Sequence, residues 1–197
     1  MDERETAPSA ERNKGPILEV ARRVLPARGV VLEIGSGTGQ HVAHLAAALP
    51  SVTFQPSELD LSRHPSIRAW TRELENVRPP LALDVSRRPW PVDAADAIVC
   101  INVIHISPWH ATRALMEGAG ALLPSGGVLV TYGPYRRGGR HTAPSNEEFD
   151  ASLKSRDPEW GVRDMEEVQA AADRAGLRLE ETVAMPANNF TLVFRHP

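Results

Sequence analysis

The chain has 197 residues, 42% of them apolar and 24% charged, with a formal net charge of −3. That size and balance point to one globular domain with a buried core and exclude wholesale disorder, and the slightly negative charge gives no reason to expect nucleic acid. Cys100 is the only cysteine, so neither an intrachain disulfide framework nor a cysteine-built zinc site is available. Lys14 and Lys154 are the only lysines, which leaves arginine to carry nearly all the basic charge. Residues 1–10 are polar and acidic with no apolar core, and the longest apolar run, 97–106, is too short to span a bilayer. A cytoplasmic protein with no membrane association is the expectation.

In chain order, residues 17–25 read as a helix closed by Pro26. Residues 29–34 (GVVLEI) form the β-branched run of a buried parallel strand, and the alanine-rich stretch 40–49 a helix stopped by Pro50. A second strand over 52–55, a helix over 66–74, a third strand over 81–85 and a fourth over 96–104 follow. A helix over 109–123 starts behind Pro108 and gives way to Pro124, Gly126 and Gly127, before a fifth strand at 128–132. Ser145 with Glu148 spells a capping box for a helix ending near Pro158; Asp164 with Glu167 opens another over 165–175, closed by Gly176. The last strands cover 177–183 and 190–195, separated by the turn 185–189. This alternation predicts an α/β fold with a seven-stranded, mostly parallel sheet and helices on both faces. Ligands of such sheets bind beyond the carboxyl ends of the strands, here the loops after Ile34, Gln55, Val85, Asn102 and Tyr132.

The most informative stretch is 31–41, VLEIGSGTGQH, where three glycines alternate between a strand and a helix. Glycine lets a ligand approach the backbone, and the helix start offers free N–H groups. The dinucleotide fingerprint G-x-G-x-x-G would need glycine at position 40, which is Gln40. The E-x-G-x-G-x-G spacing instead resembles motif I of class I S-adenosylmethionine-dependent methyltransferases. Further acids stand where strands should end: Glu58, about 20 residues past the glycines, with Asp60 as its alternate, and Asp84 beside Val85.

A wider resemblance rests on AERNKGPI (10–17), CINVIHISPW (100–109), YGPY (132–135), Ser145-Asn146 with Phe149-Asp150, WGVRD (160–164) and MPANN (185–189). These blocks look like a family of short class I S-adenosylmethionine-dependent methyltransferase-like proteins, the group that includes human methyltransferase-like 26, whose substrate is not settled. The resemblance implies a Rossmann-like class I methyltransferase fold and S-adenosyl-L-methionine as cofactor. It implies cofactor contacts at Glu33, Gly35, Ser36, Gly37, Gly39 and Asn102, with Glu58 on the ribose hydroxyls, Asp84 near the adenine amino group and Val85 against the ring. Arg12 and Asn13 would close over the methionine end. Where the family usually carries Asp, this chain has Glu58, a longer carboxylate. Glu33, an acid inside an apolar strand, needs a partner, and Arg12 or Lys14 is the expected one.

Methyl transfer to an OH or NH acceptor needs a base to take the proton. His105 is the candidate base, with Asn102 and Tyr132 as further catalytic candidates and Trp109 and Tyr135 as pocket walls; a histidine bonded structurally beneath the loop is the competing reading. The arginine-rich stretch 135–140 (YRRGGR) reads as a flexible basic loop, able to grip an anionic substrate or simply solvated. Arg156 and Arg163 read as surface ion-pair residues. His41 and His44 lack an acid to complete a metal set, so no metal site is expected. One domain, 1–197, is expected, with 1–28 as an N-terminal cap and 135–164 as an inserted substrate-side segment. The functional expectation is methylation of a small-molecule acceptor. The alternatives are a non-catalytic cofactor-binding interaction protein and, with less support, an NAD(P)-dependent oxidoreductase.

Overall fold

A computed structural model describes residues 3–197, which fall into two compact units, Met1–Val99 and Cys100–Pro197. In the first, helix α1 (Pro8–Val24) begins well before the expected residue 17 and runs through Pro16. Pro8 in the first turn, where the missing N–H costs nothing, starts it, and Ala10, Ile17, Leu18, Val20 and Ala21 form its buried stripe. Strand β1 (Gly29–Ile34) and helix α2 (Gln40–Ala48) lie as the sequence predicts. Strand β2 (Val52–Ser57) is longer than expected and pairs parallel with β1 in register from Gly29↔Val52 to Ile34↔Ser57. A 3-10 turn over Leu61–Arg63 leads into α3 (His64–Thr71).

The expected third strand at 81–85 does not form. Only two isolated parallel bridges, Phe54↔Val77 and Ser57↔Leu81, continue the sheet beyond β2. Pro79 and Pro80 stand between them, and a proline has no N–H to give to a ladder. The main sheet therefore has six strands among the described residues, not seven, in the order β2-β1-β3-β4-β9-β8. Here β3 spans Ala97–Ile101, β4 Val128–Gly133, β8 Arg178–Met185 and β9 Asn189–Arg195.

In the second unit, β3 leads through a 3-10 turn at Val103–His105 to α4 (Trp109–Leu122) and then β4. Strand β9 lies antiparallel between β4 and β8. The predicted basic loop is instead a hairpin of β5 (Tyr135–Arg137) and β6 (Arg140–His141), turned by Gly138 and Gly139 at φ of 54° and 74°. Two successive positive φ values suit a hairpin turn whose twist matches its strands. β7 (Arg163–Asp164) adds parallel to β5. Helix α5 (Pro144–Arg156) starts without the predicted capping box, since Ala143 is its N-cap and no side chain caps it. Helix α6 (Met165–Arg174) is capped as predicted by Asp164, which accepts the Glu166 N–H at 3.2 Å.

Candidate functional site

In the first unit the candidate site is the turn between β1 and α2. Gly35, Gly37 and Gly39 all have positive φ, at 67°, 55° and 90°. Two of them serve different needs. A Cβ on Gly39 would lie 2.7 Å from the Ile67 Cα, so this glycine lets α3 pack close. A Cβ on Gly37 would meet nothing within 4 Å, so the turn is open on that side. The Ser36 N–H donates to the Ser57 carbonyl at 2.8 Å, and the Ser57 hydroxyl to the Glu33 carbonyl at 2.7 Å, tying the turn to the end of β2.

Glu58, one residue past β2, arrives beside the glycines: its Oε2 accepts the Gly37 N–H at 2.8 Å and its Oε1 the Asp60 N–H at 3.0 Å. Asp60, its sequence alternate, instead caps the 3-10 turn through the Ser62 N–H. Glu33 is 2% exposed, and its Oε2, like the Ser36 Oγ, has no hydrogen-bond partner among the described residues. Burial raises its carboxyl to about 7, with Ser36 opposing the rise and the Glu58 charge adding to it. The expected cation on Glu33 is not there. Lys14 is drawn instead to Glu11 one turn away, at 2.7 Å, and Arg12 is exposed on α1. Asn13 bonds to His41 at 2.7 Å rather than to the turn. Asp84 accepts the Ser86 N–H at 2.9 Å and pairs with Arg87 at 3.4 Å, just ahead of a turn rather than at a strand end; the adjacent Val85 carbonyl accepts from the Trp90 indole.

In the sequence Gln40 stands out only as the residue that breaks the dinucleotide fingerprint. It is buried, its Oε1 accepts the Ala7 N–H at 2.6 Å and the Thr38 hydroxyl at 3.0 Å, and its Nε2 donates to Glu11. It fastens the far side of the glycine turn to the start of α1. Its signal was position alone, directly after the last glycine.

The second unit gathers the acceptor-side candidates. Asn102 sits in the left-handed region at φ 63°, its N–H donates to the Tyr132 carbonyl at 2.8 Å, and its carbonyl accepts the His105 N–H at 3.1 Å. An asparagine tolerates that conformation better than most residues, and such strain gathers at functional sites. His105 is fully buried. Its Nδ1 accepts the Arg163 backbone N–H at 3.2 Å, so the neutral ring carries its proton on Nε2, which has no partner among the described residues. Burial, helped by the Arg163 charge, lowers the imidazole to about 3. Tyr135 meets that ring edge-on at 4.9 Å and bonds to the Thr131 hydroxyl at 2.8 Å; Tyr132 is buried in β4.

Arg163 is not a surface ion-pair residue. Its guanidinium donates to the carbonyls of Ile104 at 2.9 Å, Glu159 at 2.8 Å and Ser107, and lies over the Trp109 ring. It clamps the segment after β3. Asp150 is 5% exposed and holds the Val162 N–H at 2.7 Å and Lys154 at 2.6 Å. Asn146 bridges Thr142 and the Asn188 carbonyl, both at 3.0 Å. No helix among the described residues is long and apolar enough to cross a membrane.

The family model described as "protein of unknown function (DUF938)" matches residues 4–196. Among solved structures, an O-methyltransferase family protein from Burkholderia thailandensis matches with a TM-score of 0.81 at 16% identity, over 95% of this chain and 58% of that one. CalO1, a methyltransferase in calicheamicin biosynthesis solved in its SAH-bound form, matches at 0.75 and 18%, over 96% of this chain and 54% of that one. The mitomycin 7-O-methyltransferase MmcR matches at 0.79 and 17%, over 94% and 54%. The chain spans little more than half the length of these proteins. At such identities the likeness is one of fold: α/β, with a mainly parallel central sheet, as in class I methyltransferases.

Proposed function

The chain belongs to the DUF938 family, and from its fold and its glycine turn we propose that it is an S-adenosylmethionine-dependent methyltransferase of the group that includes methyltransferase-like 26, acting on a small-molecule acceptor by O- or N-methylation. The observation that carries this reading is the approach of Glu58 to within 2.8 Å of the Gly37 N–H, beside a buried Glu33 with one carboxylate oxygen that no described residue meets. A carboxylate left half-satisfied in the core costs free energy that a bound cationic or hydroxyl-bearing ligand would recover.

The residues present fit the cofactor. The turn is open at Gly37, two buried polar atoms, Glu33 Oε2 and Ser36 Oγ, have no hydrogen-bond partner among the described residues, and the acid after β2 stands at the turn. When bound, S-adenosylmethionine supplies a methyl group on a sulfonium centre, open to in-line displacement. Glu58 would accept hydrogen bonds from ribose hydroxyls, and Glu33 would face the ammonium end. Gly35, Ser36, Gly37 and Gly39 let the backbone come close; Asp84, Val85 and Asn102 complete the assignment. Arg12, exposed on α1, and Asn13, bonded to His41, would close over the methionine end. On the acceptor side His105, Asn102 and Tyr132 carry the reading, with His105 acting as a neutral ring whose Nε2–H is a donor.

Calorimetry with S-adenosylmethionine, S-adenosylhomocysteine and NADH tests the cofactor class. Tight binding of the first two that is lost in Glu58→Ala is the expected result, and binding of NADH alone would overturn it. The pinned Nδ1 of His105 favours the second reading, a cofactor-binding protein without turnover. A methyl-release assay over an acceptor library separates the two, and turnover undiminished in His105→Gln would remove His105 from the reaction.

A further inference from the structure

On the hairpin of the second unit, two side-chain nitrogens are buried without a hydrogen-bond partner among the described residues: Nε of Arg136 on β5 and Nδ1 of His141 on β6. Arg136 and His141 are register partners on antiparallel strands, so both side chains leave the same face of the hairpin. A buried polar nitrogen left unmet is costly, and natural structures keep few of them without a use.

Three of the acids nearby are already engaged. Asp164, register partner of Arg136 on β7, accepts the Gly139 N–H at 2.7 Å and the Glu166 N–H at 3.2 Å. Asp150 on α5 holds Lys154 at 2.6 Å and the Val162 N–H at 2.7 Å, and reaches His141 Nε2 only at 3.5 Å. Glu166 on α6 accepts the Gly138 N–H. A second guanidinium, Arg163, lies close enough for the Arg136 charge to lower its pKa, after the larger effect of burial and against the opposing charges of Asp150 and Glu167. Its own donors meet neutral carbonyls, not carboxylates. The hairpin thus carries two side chains, Arg136 and His141, each with a buried nitrogen that no described residue meets.

We propose that Arg136 and His141 form a recognition site for an oxyanion, a carboxylate or a phosphate, carried by the methyl acceptor. That the oxyanion belongs to the acceptor rests on the methyltransferase reading; the oxyanion site itself does not. A planar guanidinium suits either oxyanion, because its N–H groups match two oxygens at once. A small anionic molecule is then the substrate class.

The test uses the full chain, 15N-labelled, with inorganic phosphate and acetate as separate probes. Arg136 Nε–H is assigned as the arginine side-chain resonance missing from Arg136→Lys. The expected result is a saturable shift of that resonance, with affinity falling about tenfold or more in Arg136→Gln and less in His141→Gln. A response to phosphate alone assigns a phosphate-bearing acceptor, and a response to acetate alone a carboxylate. No response to either probe, or undiminished phosphate binding in a folded Arg136→Gln, overturns the site. If Arg136→Gln does not fold, Arg136→Lys, which keeps the charge and loses the fork, takes its place in the affinity comparison. S-adenosylhomocysteine calorimetry on the same samples keeps the two claims apart. It is expected to be the same for wild type and Arg136→Gln, and its failure in wild type would remove the cofactor reading while leaving the oxyanion result standing.

Discussion

A carboxyl group shut into the core beside another acid ionises against resistance, and Glu33 is in that position, raised to about 7 by burial first. Its folded pKa lies above the unfolded value, so the folded state binds the extra proton between about 4.5 and 7. That stabilisation is fully present below the unfolded pKa and is lost as pH rises through about 7. Glu33→Gln, which removes the charge and keeps the shape, should therefore raise stability at pH 8 by about 2 kcal/mol and change it little at pH 5. Urea melts at the two pH values measure this; equal gains at both would mean that Glu33 is not the titrating group. His105 works in the opposite sense. Its folded pKa of about 3 is below the unfolded 6.5, so its stabilising effect is present above 6.5 and lost as pH falls from there toward 3. His41, lowered to about 4, adds to that loss. His105→Gln should flatten the decline between pH 6.5 and 4, and a decline as steep as wild type would assign it to other groups. The same ring leaves no room at its neighbour, since a Cβ on Gly133 would overlap His105 Nε2 and Cδ2. Gly133→Ala should cost about 2 kcal/mol or more through displaced packing, read as a lower urea midpoint.

At the level of elements, α6 is the α-helix of the second unit that a side chain caps, while α4 and α5 start without one. Asp164 both caps α6 and holds the Gly139 amide at the hairpin turn, so one carboxylate fixes two elements. Asp164→Ala should lower stability by about 2 kcal/mol, more than an N-cap alone. Ser145→Ala should cost almost nothing, because α5 starts without a side-chain cap. A large loss at Ser145, measured in the same melts, would restore the capping box that the sequence suggested. The elements that were readable, β1, α2 and α4, join an unbroken apolar pattern to clear stops at Pro50 or Pro124. The misreadings have specific physical causes. Pro79 and Pro80 reduce an apolar run to two bridges, a defect visible in the residues but outweighed by the apolar pattern. The β5-β6 hairpin is made of arginines around two glycines, so no alternation of apolar and polar residues announces it. Helix α1 continues back through Pro16, the residue that reading by punctuation treats as a boundary.

For the molecule as a whole, the legibility of its candidate sites depended on how local they are. Glu33, the three glycines and Glu58 follow one strand-turn-helix-strand sequence, so their meeting could be read from spacing. Asn102 and His105 could be placed after β3, but the Arg163 N–H that pins the His105 ring comes from 58 residues away. Arg136, His141 and Asp164 meet only through strand register, which composition does not encode. That division makes a prediction about ligand effects. A ligand that binds only the folded state stabilises it by mass action, by about 2.7 kcal/mol at 100 times its Kd. Local protection from hydrogen exchange concentrates where the ligand replaces mobile contacts. S-adenosylhomocysteine should slow amide exchange most at residues 35–40 and 57–60 of the first unit, and inorganic phosphate at residues 135–141 of the second. Glu58→Ala should abolish the first pattern and leave the second intact, whereas Arg136→Gln should do the reverse. Mass spectrometry of exchange on wild type and both variants reads all four cases. Protection by S-adenosylhomocysteine that survives Glu58→Ala unchanged would refute the role given to that carboxylate. Phosphate protection outside 135–141 would move the oxyanion to another part of the chain.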